Sequence, residues 1–369
     1  RINAKIIEAH GTFKDVRERL SKVQKLVALG EQDVVSVDAV PARIFDILNR
    51  TQVSIASTTG ARLPIGRHGE GTQSLTVLML FDAFLKSELA RRQGLQDSKP
   101  IVALEEPEAH LHPNAVRALW KTINDIDGQK LIATHSGDLL SEVDLTTIRR
   151  IYKSRGLIKV GSIASNLLNP REQRKFDFLI RRARGELFFA RCWLLGEGET
   201  EAILFSGVAE VLGLDLAQEG VRCVEYRLGD IDYFLKAANA LGIAWHCLTD
   251  ADSQGLGDAN KAEARILDIP QRKDRYISIL IGASSIEPYL ANNGFLDVYE
   301  NIAVPAKKAN ILKASKGDSE YAEQIIKCIP DKPSAAYAIV EAMRKRGKNS
   351  VPKVLASAVM KAVALARRQ

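Results

Sequence analysis

Cysteine is scarce in this sequence: Cys192, Cys223, Cys247 and Cys328 are the only four in 369 residues, far apart and with no C-x-x-C pair. That spacing excludes a disulfide framework and a cysteine zinc site, and it suits a reducing compartment. Long apolar runs are missing too. The stretch from Val77 to Phe81 is among the longest, far short of the roughly 18 to 20 residues that span a bilayer. No secretory pattern opens the chain, so a cytoplasmic location without a membrane partner is expected. Internal repeats and low-complexity tracts are absent, and 46% hydrophobic against 26% charged residues describes a folded chain rather than a disordered one. The net charge of +7 suits a polyanionic partner without requiring one. The length allows two to three domains. The chain begins at Arg1 rather than at a methionine, as a piece of a longer protein would.

Periodicity supplies the organisation. Residues 1 to about 48 are charged and helical in period, with Val16, Leu20, Val23 and Val27 at threes and fours. Alternation at 53–57 predicts a strand, and the glycine-bearing stretch 66–74 leads into a helix over 75–89. A strand at 101–104 ends in Glu105-Glu106-Pro107. A helix carrying Val116, Leu119, Trp120, Ile123 and Ile126 follows, then a strand at 130–133 ending in Thr134-His135-Ser136. Strand, helix, strand in that order is a β-α-β unit of a parallel sheet. A second such run follows a basic helix at 171–190, with strands at 192–195, 222–226, 244–248 and 276–281 and a helix around 230–241. Residues 301–369 are basic and helical. The expected fold class is α/β, with domains at 1–165, 166–300 and 301–369.

Acidic residues fall at the carboxyl ends of the second set of strands, the edge where open α/β sheets bind ligands. Glu197 lies just past a strand and Glu201 in the first turn of the next helix, while Asp250 and Asp252 follow another strand. Residues two apart share a face where the chain stays extended, and Gly198 is expected to allow a tight strand-to-helix turn. Taken singly, an E-x-x-x-E is a solvated helix face and a D-x-D a turn. Four converging carboxylates, however, repel unless cations hold them, and hard divalent ions with oxygen ligands do so. Two such ions about 4 Å apart can activate a water and stabilise a leaving oxygen in phosphodiester cleavage.

This arrangement resembles the Toprim domain shared by topoisomerases, bacterial primases and small nucleases. The stretches Phe176-Asp177-Phe178-Leu179, Leu187-Phe188-Phe189-Ala190-Arg191 and Glu197-Gly198-Glu199-Thr200-Glu201 are similar to the OLD (overcoming lysogenization defect) nucleases in particular. The resemblance implies two Mg²⁺ or Mn²⁺ ions held by Glu197, Glu201, Asp250 and Asp252, with Ser253 and Glu287 as further ligands by position. It also implies a late lysine near the scissile phosphate, for which Lys353 is the first choice and Lys348 the second.

The earlier run carries different chemistry. A strand ending in Glu105-Glu106 has the form of a Walker B strand, whose acids serve the Mg²⁺ shell and the attacking water. Pro107 to Pro113, and then Thr134-His135-Ser136, resemble the D-loop and switch histidine of ABC-type ATPases; Gly69-Glu70-Gly71-Thr72-Gln73-Ser74 resembles their signature loop, where backbone amides at a helix start hold phosphate. Glu105 stands where most members have aspartate. ATP contacts are therefore expected at Glu105, Glu106, His135, Gly69, Gly71 and Gln73. The G-x-x-x-x-G-K-[ST] phosphate loop is absent, so ATP hydrolysis by this chain alone is not expected. His110 and His112 lack the further ligands of a zinc site.

The whole is read as the C-terminal part of an OLD-type protein: a partial ABC-type ATPase sheet, a Toprim domain of parallel strands flanked by helices, and a C-terminal helical segment. The resemblance implies metal-dependent DNA cleavage, a homodimer through the ATPase portion, a DNA helicase as a further partner, and a role in phage defence or DNA repair. One rival is an ATP-gated DNA-binding module without its own cleavage. The other, a topoisomerase or primase, needs an extra domain for which the spare length is too small.

Overall fold

The structure, a computed structural model, describes residues 35–38, 52–56, 62–91, 99–154, 156–182, 185–227, 229–267, 273–308, 311 and 319–369. The chain forms two compact units, Arg1–Val143 and Asp144–Gln369.

In the first unit, β1 (Val35–Asp38), β2 (Gln52–Ala56) and β3 (Arg62–Pro64) make an antiparallel sheet in that order. A strand at Val35–Asp38 overturns part of the helix expected over 1–48. Val35 and Val37 pair with Ile55 and Val53, and β-branched residues favour a pleated pairing. Val16, Leu20, Val23 and Val27 lie outside the described residues. Helix α1 (Glu70–Arg91) starts five residues earlier than expected, because Thr72 N and Gln73 N both donate to the Gly69 carbonyl and draw the glycine-bearing stretch into the first turn. β4 (Ile101–Glu105), α2 (Pro113–Asn124) and β5 (Gln129–Ala133) form the expected β-α-β unit, with Ile101 opposite Gln129 and Glu105 opposite Ala133 in a parallel pair. Leu75, Leu78, Val102, Leu119, Ile123 and Ile126 make its core.

The second unit opens with a hairpin of β6 (Arg149–Ser154) and β7 (Leu157–Ser162). Helix α3 (Pro170–Arg182) stops well before residue 190. A short 3-10 turn at Glu186–Phe189 follows, in which Leu187 and Phe188 are buried and the Leu187 carbonyl accepts from Trp193 Nε1 at 2.8 Å. Then come β8 (Cys192–Gly196), α4 (Glu199–Leu212), β9 (Val221–Glu225), α5 (Ile231–Leu241), β10 (Ala244–Thr249), α6 (Ser253–Glu263) and β11 (Ile277–Ile279), shorter than the strand expected at 276–281. These strands are all parallel, in the order β11-β10-β8-β9. After β11 come α7 (Ile286–Leu290) and α8 (Leu296–Ile302), and the tail supplies α9 (Ser319–Lys327), α10 (Lys332–Arg346) and α11 (Lys353–Ala366).

Two features differ from the expected domain limits. The hairpin at 149–162 lies with the second unit, because Arg150 inserts into it. Its guanidinium donates to the carbonyls of Phe188, Ala190, Leu241 and Gly242, just ahead of β8 and β10. The tail also shares a single core with the sheet: Leu194, Phe205 and Val208 belong to the same buried cluster as Ile339, Val340, Leu355 and Val359.

Candidate active site at the carboxyl edge of the parallel sheet

Strand order decides which acidic residues meet. The chain leaves β8 for β9 on one side and returns past β8 to β10 on the other, so its direction reverses between β8 and β10, where open parallel sheets form a crevice. Glu197 and Glu201 follow β8, and Asp250 and Asp252 follow β10, neighbouring strands about 4.8 Å apart. Glu287, in the first turn of α7, joins from the β11 side.

The turn after β8 depends on Gly196. A Cβ there would lie 2.5 Å from the Glu201 Cβ and 3.0 Å from the Phe205 ring. Gly198 has an ordinary extended backbone, φ −146° and ψ −166°, so the glycine that the turn requires is Gly196. Glu201 is 7% exposed. Its Oε2 accepts from the Gly198 amide at 2.8 Å, the backward-reaching half of a capping box. Burial pushes the Glu201 carboxyl above its ordinary range, backbone amides of its own turn pull it back, and Glu287 and Glu197 push it up again. Asp250 is pushed up to about 7, by burial first and then by Glu201, Glu197, Asp252 and Glu287. Each of those charged neighbours is a carboxylate. Tyr226, buried at the end of β9, is pushed up by burial and by Asp258, Glu197 and Asp250 among its neighbours.

Asp252 is exposed and caps α6, its Oδ1 accepting from Gly255 N at 2.7 Å, and Ser253 is an exposed residue in that helix's first turn. Glu287 is 2% exposed. Its Oε2 accepts from Ser285 Oγ at 3.1 Å, and its Oε1 pairs with Lys332 Nζ at 2.8 Å. Glu197, Glu201, Asp250, Asp252 and Glu287 therefore form one electrostatic group. Among the described residues, no three or more His, Cys, Asp or Glu side chains are already placed so as to hold a metal ion. The donor set still fits hard divalent cations, since it is oxygen throughout and its crowded charges are of the kind a cation relieves.

The lysines divide. Lys353 is exposed at the head of α11 and makes no hydrogen bond or ion pair among the described residues. Lys348 Nζ lies 3.5 Å from the place of a Cβ on Gly213, the residue capping the C-terminus of α4. Glu201 sits in the first turn of that helix, which is about 20 Å long. The lysine bonded into the acidic group is Lys332, whose sequence context carries no signal beyond the general basicity of the tail.

In the first unit, Glu105 ends β4 and Glu106 follows in the left-handed region at φ 43°, a conformation that non-glycine residues keep only where their surroundings enforce it. The enforcing bond is Glu106 N to the Ala133 carbonyl, 2.8 Å. His135 Nε2 stands 3.7 Å from Glu106 Oε1 across the two strand ends. At the start of α1, Gly69 supplies the first acceptor carbonyl, Gly71 faces the His110 carbonyl, and Gln73 Nε2 donates to the His68 carbonyl at 2.6 Å.

A four-stranded parallel sheet of this order, with acidic residues on both sides of its reversal point, is what the Toprim resemblance implies. Residues 188–252 match the family described as overcoming lysogenization defect protein-like, TOPRIM domain, and residues 11–186 match a family described as a protein of unknown function (DUF2813). The uncharacterized protein YbjD of Escherichia coli (strain K12) is similar at 27% identity over 330 residues, 88% of this chain and 55% of that one. The Old nuclease of Escherichia phage P2 is similar at 27% identity over 198 residues, 51% of this chain and 33% of that one. The C-terminal region of the Xanthomonas campestris pv. campestris OLD protein is similar in structure over 50% of this chain and 97% of that one, at 18% identity and a TM-score of 0.39. The chain is therefore similar to OLD-type proteins, with residues 188–252 matching their Toprim domain. It spans about half the length, or less, of these curated relatives. No helix among the described residues is long and apolar enough to cross a membrane.

Proposed function

We propose that this chain hydrolyses DNA phosphodiesters at the carboxyl edge of its parallel sheet. The observation that carries the reading is the group of carboxylates that follow neighbouring strands of one sheet edge, where burial first, and then Glu201, Glu197, Asp252 and Glu287, lift Asp250 to about 7. When bound, two Mg²⁺ or Mn²⁺ ions supply an activated water and stabilise the leaving oxygen. Glu197, Glu201, Asp250 and Asp252 would hold them, with Ser253 and Glu287 alongside. Asp250 would be held there in its deprotonated form. Lys332, fixed on Glu287, sets positive charge beside the place where a phosphate is drawn in, and Lys353 is the alternative for that role.

In the ATPase-like portion, Glu105, Glu106 and His135, with Gly69, Gly71 and Gln73, are proposed to serve ATP once a phosphate loop is supplied. A homodimer through this portion, a DNA helicase partner, a cytoplasmic setting and a role in phage defence or DNA repair complete the proposal. Cleavage of supercoiled plasmid should need Mg²⁺ or Mn²⁺ and fall roughly 100-fold or more in Glu201→Ala and Asp250→Ala, with circular dichroism unchanged. DNA binding without cleavage in the unsubstituted protein would instead establish the ATP-gated binding module, the reading favoured by the lack of a preformed three-ligand cage among the described residues.

A further inference from the structure

We propose that Arg227 grips the DNA backbone beside the cleaved bond, contacting a phosphate one to three nucleotides from it; this rests on the nuclease reading above. The five carboxylates that suit divalent ions also repel a polyanion, so the strand needs a cation close to the cluster but not neutralised by it. Lys332 does not meet that need alone, since its ammonium is paired with Glu287 at 2.8 Å.

Arg227 follows β9, the outermost strand on the opposite side of the sheet from β11. Along the carboxyl edge the order is therefore Glu287, then Asp250 and Asp252, then Glu197 and Glu201, then Arg227. Its backbone is fixed there, with Arg227 N donating to the Glu197 carbonyl at 2.8 Å and Tyr226 N to the Gly196 carbonyl at 3.1 Å. Its stem passes Gly198, where a Cβ would lie 3.8 Å from the Arg227 Cδ. The side chain is exposed, and among the described residues it makes no hydrogen bond or ion pair. A tethered guanidinium with open donors matches a phosphate's paired oxygens. Strand spacing puts it about 5 Å beyond Glu197 and about 10 Å from Asp250. A DNA strand advances about 3.4 Å per nucleotide along a duplex, which gives the stated offset.

The test uses the full chain and a DNA duplex whose cleaved linkage has been mapped with the unsubstituted protein. Arg227→Gln should raise KM about 3- to 10-fold with kcat within about twofold, lower the slope of log KM against log salt by about one, and be partly rescued by Arg227→Lys. Neutral methylphosphonates placed one to three linkages from the cut should raise KM for the unsubstituted protein and add nothing in Arg227→Gln. The thermal shift given by Mn²⁺ should not change. An unaltered KM and salt slope, a fall in kcat at constant KM, or a methylphosphonate penalty that persists in full in Arg227→Gln overturns the proposal and leaves the nuclease reading standing. Absence of cleavage by the unsubstituted protein overturns both.

Discussion

Asp250 and His246 lie within five positions of each other and are displaced in opposite directions. His246, fully buried in β10, donates Nδ1–H to the Arg275 carbonyl at 2.9 Å, and its Nε2 accepts from Ser278 Oγ at 3.0 Å. This pairing fixes the neutral ring, and burial lowers its pKa from 6.5 to about 4. As pH falls below 6.5 the unfolded chain takes up a proton that the folded chain refuses. Stability is then lost down to about pH 4, by on the order of 3 kcal/mol. Asp250 opposes this. Its carboxyl is raised from 3.8 to about 7, so the metal-free fold keeps a proton that the unfolded chain has released, and stability falls as pH rises through that window. Asp250→Asn should therefore steepen the rise of Tm between pH 4 and 6.5 in the metal-free protein, as scanning calorimetry would show. Mn²⁺ should raise the Tm of the unsubstituted protein more at pH 8 than at pH 6, because binding must displace the Asp250 proton. Equal shifts at both would remove Asp250 from the ligand set. Glu197 and Asp250 were legible in the sequence because each sits one residue past an apolar strand. Lys332 was not, because its meeting with Glu287 is made by tertiary folding of the intervening helices.

Elements were legible where one period dominates and obscured where the chain changes register. The runs at 192–195 and 244–248 are strands in which both sheet faces are covered and apolar residues can follow one another, whereas in the strand at 101–104 Val102 is buried and Ile101 and Ala103 are exposed. The first turn of α1 was hidden by its glycines, and β1 by the charged residues around it. Packing between α4 and α10 left a sharper trace than any pattern. A Cβ on Gly207 would lie 2.3 Å from a Val340 methyl, so these helices approach through a position that admits no side chain. Gly207→Ala should destabilise by about 1 to 3 kcal/mol through overpacking, and adding Val340→Ala should recover part of that loss. Urea unfolding of the two single variants and the double variant measures the coupling, and strictly additive losses would show that the contact is not shared.

Across the whole molecule, the tail and the parallel sheet bury one continuous core, from Cys192 in β8 to Ala366 in α11. Residues 301–369 therefore cannot leave without opening the cluster around Leu194 and Phe205. Composition hid this, because exposed lysines such as Lys327, Lys345 and Lys353 mark its outer face while Leu355, Ala358, Val359 and Ala362 are buried. The N-terminal limit of this body rests on Arg150, whose four carbonyl acceptors border β8 and β10. Burial lowers the Arg150 pKa, yet the group stays charged at any physiological pH and has no carboxylate partner among the described residues, so its bonds to those carbonyls are what make its burial tolerable. A fragment of residues 144–369 should unfold in one cooperative transition and keep the Mn²⁺ shift, since every proposed ligand lies within it. A fragment of residues 166–369 strips those four carbonyls of their donor and should melt several degrees lower, with Arg150→Met in the longer fragment falling between the two. If 166–369 melts as high as 144–369, the hairpin is an appendage and the boundary belongs near residue 165.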